Sequence, residues 1–260
     1  MRIIAGEFRS RRLLTPKDDA VTRPIPDRVK ESLFGLLRGH CEGANVFDGF
    51  AGTGAIGLEA LSRGAARCVC VERDKGAAEL LKGNIEALGV QDRCELVIGD
   101  ALGPGALARA PRPLTIAFLD PPYPLIREPI GWDRVRAQLQ KLVDLLTDDG
   151  FAIVRTPWPF MLEVRQASEE APEPVRKRIK KKRHGHDRAP RQGRWHEAPP
   201  APEETIEALA PGPEEGGEVA AEAGPNVVKM APDLGLPNAA GPETHVYAST
   251  AVHLYMKKRA

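Results

Sequence analysis

The chain has 260 residues, with 37 Lys and Arg against 36 Asp and Glu, and a net charge of +1. Hydrophobic residues make up 42%, enough for a sizeable core, yet no stretch approaches the roughly 20 consecutive apolar residues of a membrane span. No helical membrane span is therefore expected, and a cytoplasmic location is expected because Met1-Arg2-Ile3-Ile4 opens no apolar signal core.

Residues 1–43 read as a basic extension. Arg2, Arg9, Arg11 and Arg12 stand against Glu7. Ile3-Ile4, Gly6 and Leu13-Leu14 predict two short strands in a hairpin. Thr22-Arg23-Pro24-Ile25-Pro26-Asp27 reads as a helix entry, with Asp27 as cap and Val29, Leu33, Leu36 and Leu37 as the apolar stripe.

Strand and helix then alternate through residues 44–166. Val46-Phe47 predicts a strand before a glycine-rich loop, and Ile56, Leu58 and Leu61 a helix after it. Arg67 to Val71 is the next strand. Asp74 caps a helix carrying Leu80, Leu81, Ile85 and Leu88, and Gly89 stops it. Cys94 to Ile98 and Leu114 to Leu119 are strands. Val135, Leu139, Leu142, Val143 and Leu146 mark a helix with Asp133 as cap and Gly150 as stop, and Phe151 to Val154 is a strand. Such alternation predicts an α/β fold, a parallel sheet with helices on both faces, and places functional loops at the carboxyl ends of the strands.

Residues 167–243 have a different character. A basic run fills positions 176–183, His184 and His186 follow, and every charge from Glu197 to Glu222 is acidic among prolines, alanines and glycines. This composition predicts a disordered insertion. Residues 244–260 return to strand propensity, with Val246 to Met256 expected to close the sheet. The sixth strand stays open, either near Met161 to Val164 or inside the insertion. Cys41, Cys68, Cys70 and Cys94 lack zinc-like spacing and read as buried structural thiols.

Two motifs carry chemistry. Asp48-Gly49-Phe50-Ala51-Gly52-Thr53-Gly54-Ala55-Ile56-Gly57 contains G-x-G-x-x-G, and Glu72 lies about 20 residues on, where a ribose-binding acid is expected. Alone, this fits a nicotinamide enzyme equally. Asp48 tilts the ligand toward S-adenosylmethionine, because a strand-end carboxylate suits a cationic amine and not a pyrophosphate. Asp100, within Gly99-Asp100-Ala101, suits the adenine amine. The second motif is Asp120-Pro121-Pro122-Tyr123. The Asp120 carboxylate and Pro121 carbonyl can each accept a proton of an exocyclic amine, which favours a localised nitrogen lone pair. The prolines preorganise both acceptors, and Tyr123 offers a flat face for a base. Proximity and orientation would supply most of the catalysis.

On these residues the chain resembles the class I S-adenosylmethionine-dependent methyltransferases, and more specifically the bacterial 16S ribosomal RNA guanine-N2 methyltransferase D family. The blocks are Arg2-Ile3-Ile4-Ala5-Gly6 through Arg12-Leu13; Thr22-Arg23-Pro24 with Asp27 to Phe34; Phe50 to Gly54 with Gly57 to Ala65; Leu119 to Tyr123; and the terminal Tyr247 to Tyr255. The resemblance implies a Rossmann-like, seven-stranded, mostly parallel sheet with an antiparallel last strand, plus a small N-terminal β-hairpin. It implies a monomer that methylates a guanine of 16S rRNA, free or in the small ribosomal subunit. Asp48, Ala51, Gly52, Thr53, Gly54, Gly57, Glu72, Asp100 and Ala101 would then hold the cofactor, and Asp120 to Tyr123 the unstacked guanine. Arg9, Arg11, Arg12, Arg23 and Arg28 would contact RNA phosphates. A DNA adenine-N6 methyltransferase and a non-catalytic RNA-binding assembly factor are the alternative readings. Gly49 stands where the family usually has an apolar residue and could loosen the strand end, and Arg155 stands where an acid is common.

Overall fold

The computed structural model describes residues 1–16, 25–165 and 227–259. Its strands are β1 (Asn45–Gly49), β2 (Arg67–Glu72), β3 (Cys94–Ile98), β4 (Leu114–Leu119), β5 (Leu146–Pro157), β6 (Leu162–Arg165), β7 (Val227–Met230), β8 (Ala239–Tyr247) and β9 (Thr250–Lys257). Its helices are α1 (Asp27–Leu36), α2 (Gly57–Ser62), α3 (Lys75–Leu88), α4 (Pro104–Arg109), α5 (Tyr123–Arg127) and α6 (Pro129–Leu145). Seven strands form one sheet in the order β3-β2-β1-β4-β5-β9-β8. β1 to β5 are parallel, and the last strand, β9, runs antiparallel to both neighbours.

Period-two alternation sorts the side chains into two apolar layers. Val46, Cys70, Ile116 and Phe118 pack on the layer that holds α1, α2 and α3. Phe47, Val71, Leu119 and Val154 pack on the layer that holds α4 and α6. Both faces are covered, so the central strands read as continuous apolar runs. After β3 the chain crosses back to lay β4 on the other side of β1. The strand order therefore reverses between β1 and β4, where open α/β sheets form their ligand crevice.

The N-terminal extension is tied down by a buried charge network. Glu59 of α2 accepts from the amides of Ile4 at 2.7 Å and Ala5 at 3.1 Å, and from Arg63 Nε at 2.8 Å. Lys30 of α1 stands 3.3 Å from Glu59, with both side chains fully buried, and donates to the Arg2 carbonyl at 2.6 Å. Burial lowers the Lys30 pKa, and the Glu59 charge opposes that shift.

Several expectations are corrected. The hairpin in residues 1–13 contains no strand, only an isolated Arg2–Arg12 bridge with amide bonds such as Ile3 to Arg11. The backbone donors of Ile4 and Ala5 go instead to Glu59, and that of Phe8 to Ser62. Asp27 does not cap α1; it is the first helical residue and pairs with Arg2, and Pro26 holds the cap position. Asp133 is likewise inside α6, because Pro129, preset for a first helical turn, starts the helix earlier. Gly150 does not stop that helix, since Leu146 already pairs with Leu114 and the ladder shifts register before Phe151. The capping of α3 by Asp74 and its end at a left-handed Gly89 agree with the sequence reading.

The tail differs most. β6 leaves the main sheet and pairs with β7, so the sheet's sixth strand is β8. β7 and the start of β8 fall inside residues 167–243, so residues 227–243 belong to the folded unit and not to the insertion. β7 is only four residues long, and β8 is an edge strand carrying few apolar residues, so neither stands out beside the insertion. The run from Val246 to Met256 is a hairpin with its turn at Ala248-Ser249. Residues 166–226, with the basic run, His184 and His186, lie outside the described residues. Among those described, no helix is long and apolar enough to cross a membrane.

Candidate functional site

The loop after β1 is built around a buried acid. Asp48 is 1% exposed, and its Oδ2 accepts the Gly57 amide at 2.8 Å. Its Oδ1 is buried with no partner among the described residues. Burial, with smaller contributions from Asp120, Cys94 and Glu72, raises the Asp48 pKa to about 8 against the pull of the Gly57 amide. A Cβ at Gly57 would stand 2.7 Å from Cys70 Sγ and 3.0 Å from Asp48 Oδ2, so only glycine lets α2 start this close to the sheet. Phe50 holds φ 68° beside Asp48, a left-handed geometry costing a non-glycine residue about 1–2 kcal/mol. Such strain tends to collect at ligand sites.

Ala51 and Thr53 are buried, and Gly52 and Gly54 turn the chain at positive φ. The Gly52 amide donates to Glu72 Oε2 at 2.7 Å, and the Asp74 amide to Glu72 Oε1 at 2.7 Å. Glu72 thus braces the loop through both oxygens while each keeps a lone pair. Asp100 accepts from the Leu102 amide at 3.0 Å and from Arg134 at 2.9 Å. Buried Ala101 gives its carbonyl to Gln138 at 2.9 Å. Gly49 does not loosen its strand end: a Cβ there would stand 2.7 Å from Leu119 Cδ2, so neighbours already fill the space.

The second loop emerges beside the first. Gly49 and Leu119 are register partners, and the Asp120 amide donates to the Gly49 carbonyl at 3.4 Å. Asp120 receives Arg155 bidentately, Nε to Oδ1 at 2.7 Å and Nη2 to Oδ2 at 2.9 Å, with side-chain exposures of 12% and 14%. Burial alone would lower the Arg155 pKa, and the facing Asp120 and nearby Tyr123 more than reverse this. Pro121 is buried, and α5 starts directly after Pro122. Tyr123 bonds Thr250 at 2.9 Å, and the Arg155 guanidinium lies 5.6 Å from its ring centroid, so the ring is not wholly free for stacking.

The structure brings Asp48, the glycine loop, Glu72, Asp100 and the Asp120 loop to the carboxyl ends of β1 to β4. The candidate RNA contacts are a separate set. Arg9, Arg11, Arg12 and Arg28 are exposed on the extension, and Arg11 bonds the Ala87 carbonyl at 2.8 Å. Arg23 lies outside the described residues. Asn84, which the sequence did not single out, joins the two regions by donating to the carbonyls of Thr53 at 2.9 Å and Leu14 at 3.2 Å. Thr156, Thr250 and His253, also unforeseen, form a buried polar chain behind Tyr123. Cys68, Cys70 and Cys94 are buried free thiols, and contacts with Cys68 and Cys94, with burial, hold the Cys70 pKa well above its ordinary value. Among the described residues no cluster suits a metal.

The reversal point, the glycine loop and the antiparallel last strand define the Rossmann-like class I methyltransferase fold. The chain aligns over 99% of its length with 98% of a putative methyltransferase, yhhF, from Escherichia coli, at TM-score 0.56 and 23% identity, which shows the fold. The family model described as Conserved hypothetical protein 95 matches residues 1–185, and the chain belongs to that family, the methyltransferase D family it resembles. It is 34% identical over 157 residues to the putative rRNA methyltransferase YlbH of Bacillus subtilis, covering 59% of this chain and 80% of that one. It is 36% identical over 151 residues to ribosomal RNA small subunit methyltransferase D of Escherichia coli, covering 58% and 69%.

Proposed function

We propose that this protein methylates the exocyclic N2 amine of a guanine in small-subunit ribosomal RNA, using S-adenosylmethionine. The observation that carries the reading is the adjacency of the two loops, joined through Gly49 and Asp120 at the reversal of strand order. The residues fit the cofactor: Asp48 keeps a buried acceptor without a donor, as a site for a cationic amine requires. Asp48, Ala51, Gly52, Thr53, Gly54, Gly57, Glu72, Asp100 and Ala101 would hold the group, which when bound supplies an electrophilic methyl on a sulfonium.

The chain's own part is orientation. Asp120 and the Pro121 carbonyl would accept hydrogen bonds from the two amine N–H groups and leave the nitrogen lone pair free to attack the methyl, and the proton that the methylated nitrogen sheds would pass by way of the Asp120 carboxylate to solvent. No strong base is needed beforehand, because the leaving group is already activated. The relatives' names support ribosomal RNA as substrate, and that of the Escherichia coli protein supports the small-subunit RNA. The exposed Arg9, Arg11 and Arg12, with Arg23 and Arg28, are the proposed phosphate contacts, and the protein is expected to act as a monomer in the cytoplasm. The test is labelled methyl transfer into small-subunit particles lacking the modification, followed by nucleoside analysis. N2-methylguanosine is expected. N6-methyladenosine would select the adenine alternative, and no label in nucleosides would refute methyl transfer to RNA.

A further inference from the structure

Resting on the reading that RNA is the substrate, we propose that Trp158 is a stacking platform for a nucleobase next to the target, one that loses its neighbour when the target guanine leaves the stack. Trp158 directly follows β5, on the carboxyl edge of the sheet from which Asp120 and Tyr123 also emerge. Its amide donates to the Ser249 carbonyl at 2.9 Å. The last rung of the β5–β9 ladder pairs Pro157 with Thr250, and Thr250 Oγ1 stands 2.9 Å from Tyr123 Oη. Trp158 therefore lies one residue beyond the rung that holds Tyr123, at the rim of the proposed guanine pocket.

Tryptophan is highly buried on average, yet Trp158 is 44% exposed and is the one exposed aromatic residue among the described residues. Its backbone is held on both sides. Pro157 and Pro159 flank it and restrict the chain. Pro157 is buried, and Phe160 packs edge-on against Trp132 with ring centroids 4.9 Å apart. A flat group presented from a fixed backbone loses little freedom on binding. A nucleobase suits it, because every base has a π face and stacking on an aromatic ring tolerates any sequence. Arg127, exposed on α5 four residues after Tyr123, supplies a cation for the phosphate chain beside the same loop. A protein partner would call for a wider apolar patch, since interface cores are packed like protein interiors. The exposed residues next to Trp158 in the chain and across its amide bond are Pro159, Ala248 and Ser249, which offer little apolar area.

The experiment measures methyl transfer into the small-subunit RNA substrate that the wild-type protein labels, with an abasic site placed in turn at each nucleotide flanking the labelled guanine. For the wild-type protein, the abasic site at one of these positions is expected to raise KM about tenfold. For Trp158→Ala, KM for the intact substrate is expected to rise by about the same factor with kcat little changed, and the same abasic site is expected to add less than about twofold, because the lost stack is counted once. Trp158→Phe keeps a π face and is expected to stay within about threefold of wild type. Trp158→Leu keeps apolar bulk without the π face, is expected to behave like Trp158→Ala, and covers the case in which Trp158→Ala does not fold. Cooperative melting and cofactor affinity, measured alongside, are expected to stay near wild type. An abasic penalty equal in the wild type and a folded Trp158→Ala or Trp158→Leu overturns the stacking role and leaves the methyl transfer standing. Wild-type KM in Trp158→Leu also overturns it, in favour of an apolar contact with a protein of the particle. Absence of labelled nucleoside with wild-type protein refutes the functional reading itself, and the stacking role with it.

Discussion

Asp48 accepts the amide of Gly57 at 2.8 Å across the turn from β1 into α2, and this contact satisfies only one of its buried oxygens. A carboxyl so placed favours its neutral form, because burial disfavours the charge more than one amide supports it.

The consequence is a pH dependence of definite sign. The folded value is about 8 against an ordinary 3.8. Between these the folded protein holds a proton that the unfolded chain has released, so stability falls as pH rises from about 4 to about 8. The shift sets a ceiling of about 6 kcal/mol on the loss. Asp48→Asn is expected to melt near wild type at pH 4 and progressively higher toward pH 8. A pH-independent gap would contradict this. Cofactor binding is expected to release close to one proton at pH 7, read by calorimetry in buffers of different ionisation enthalpy.

Lys30 and Glu59 are fully buried and hold the extension to the core. Breaking a buried pair by removing one partner costs about 3–5 kcal/mol. Lys30→Met is expected to lose stability on that scale, whereas Lys30→Met with Glu59→Gln together should recover part of it. Denaturant unfolding of the two variants decides the matter; no recovery in the double variant would mean that Glu59 acts mainly through the amides of Ile4 and Ala5.

Asp120→Ala is expected to abolish methyl transfer while cofactor affinity stays within a few-fold of wild type. Retained turnover would remove Asp120 from the proposed chemistry. Affinity is measured directly, since the substitution also strips Arg155 of its carboxylate.

Arg9, Arg11 and Arg12 are exposed, so replacing all three by Gln should cost little stability. If each neutralises a phosphate, the slope of log affinity against log salt is expected to flatten by about 2–3, at roughly 0.7–0.9 per contact. An unchanged slope would place the RNA elsewhere. Arg11 is the member with a second task, through the Ala87 carbonyl.

What the sequence made legible, and what it did not, follows the range of each signal. Local signals held: the Asp74 cap, the Gly89 stop and the strands of the parallel core are written in neighbouring residues. Asp27 and Asp133 fall inside their helices because a proline, Pro26 at the cap of α1 and Pro129 at the first position of α6, already sets each helix start. The Lys30–Glu59 pair was illegible, since a lysine on an apolar stripe reads as a solvated charge until a partner from another helix is known. Arg155 stands out as a departure from the family pattern, but its pairing with Asp120, just past the end of β4, requires the register of the sheet. β7 is too short, and edge strand β8 carries too few apolar residues, to stand out beside the insertion.

That edge pairing also determines how the chain is trimmed. Arg165 and Val227 are register partners of the antiparallel β6–β7 pair. Antiparallel partners lie about 4.5–5.5 Å apart, so a short turn can join them. Replacing residues 166–226 by a Gly-rich linker of a few residues is expected to leave a cooperatively melting protein with unchanged cofactor affinity, because closing a shorter loop costs less entropy. Extending the deletion through residue 241 should behave differently. It removes β7, Asp233, whose carbonyl accepts from Trp132, and Leu234, whose carbonyl accepts from Tyr255. Trp132 and Tyr255 are among the largest fully buried side chains, and leaving their polar atoms unpaired costs about 1–3 kcal/mol each. Equal melting of the two truncations would show that residues 227–241 contribute nothing to the folded unit, and loss of cooperative melting in the shorter deletion would show that the core depends on residues 166–226.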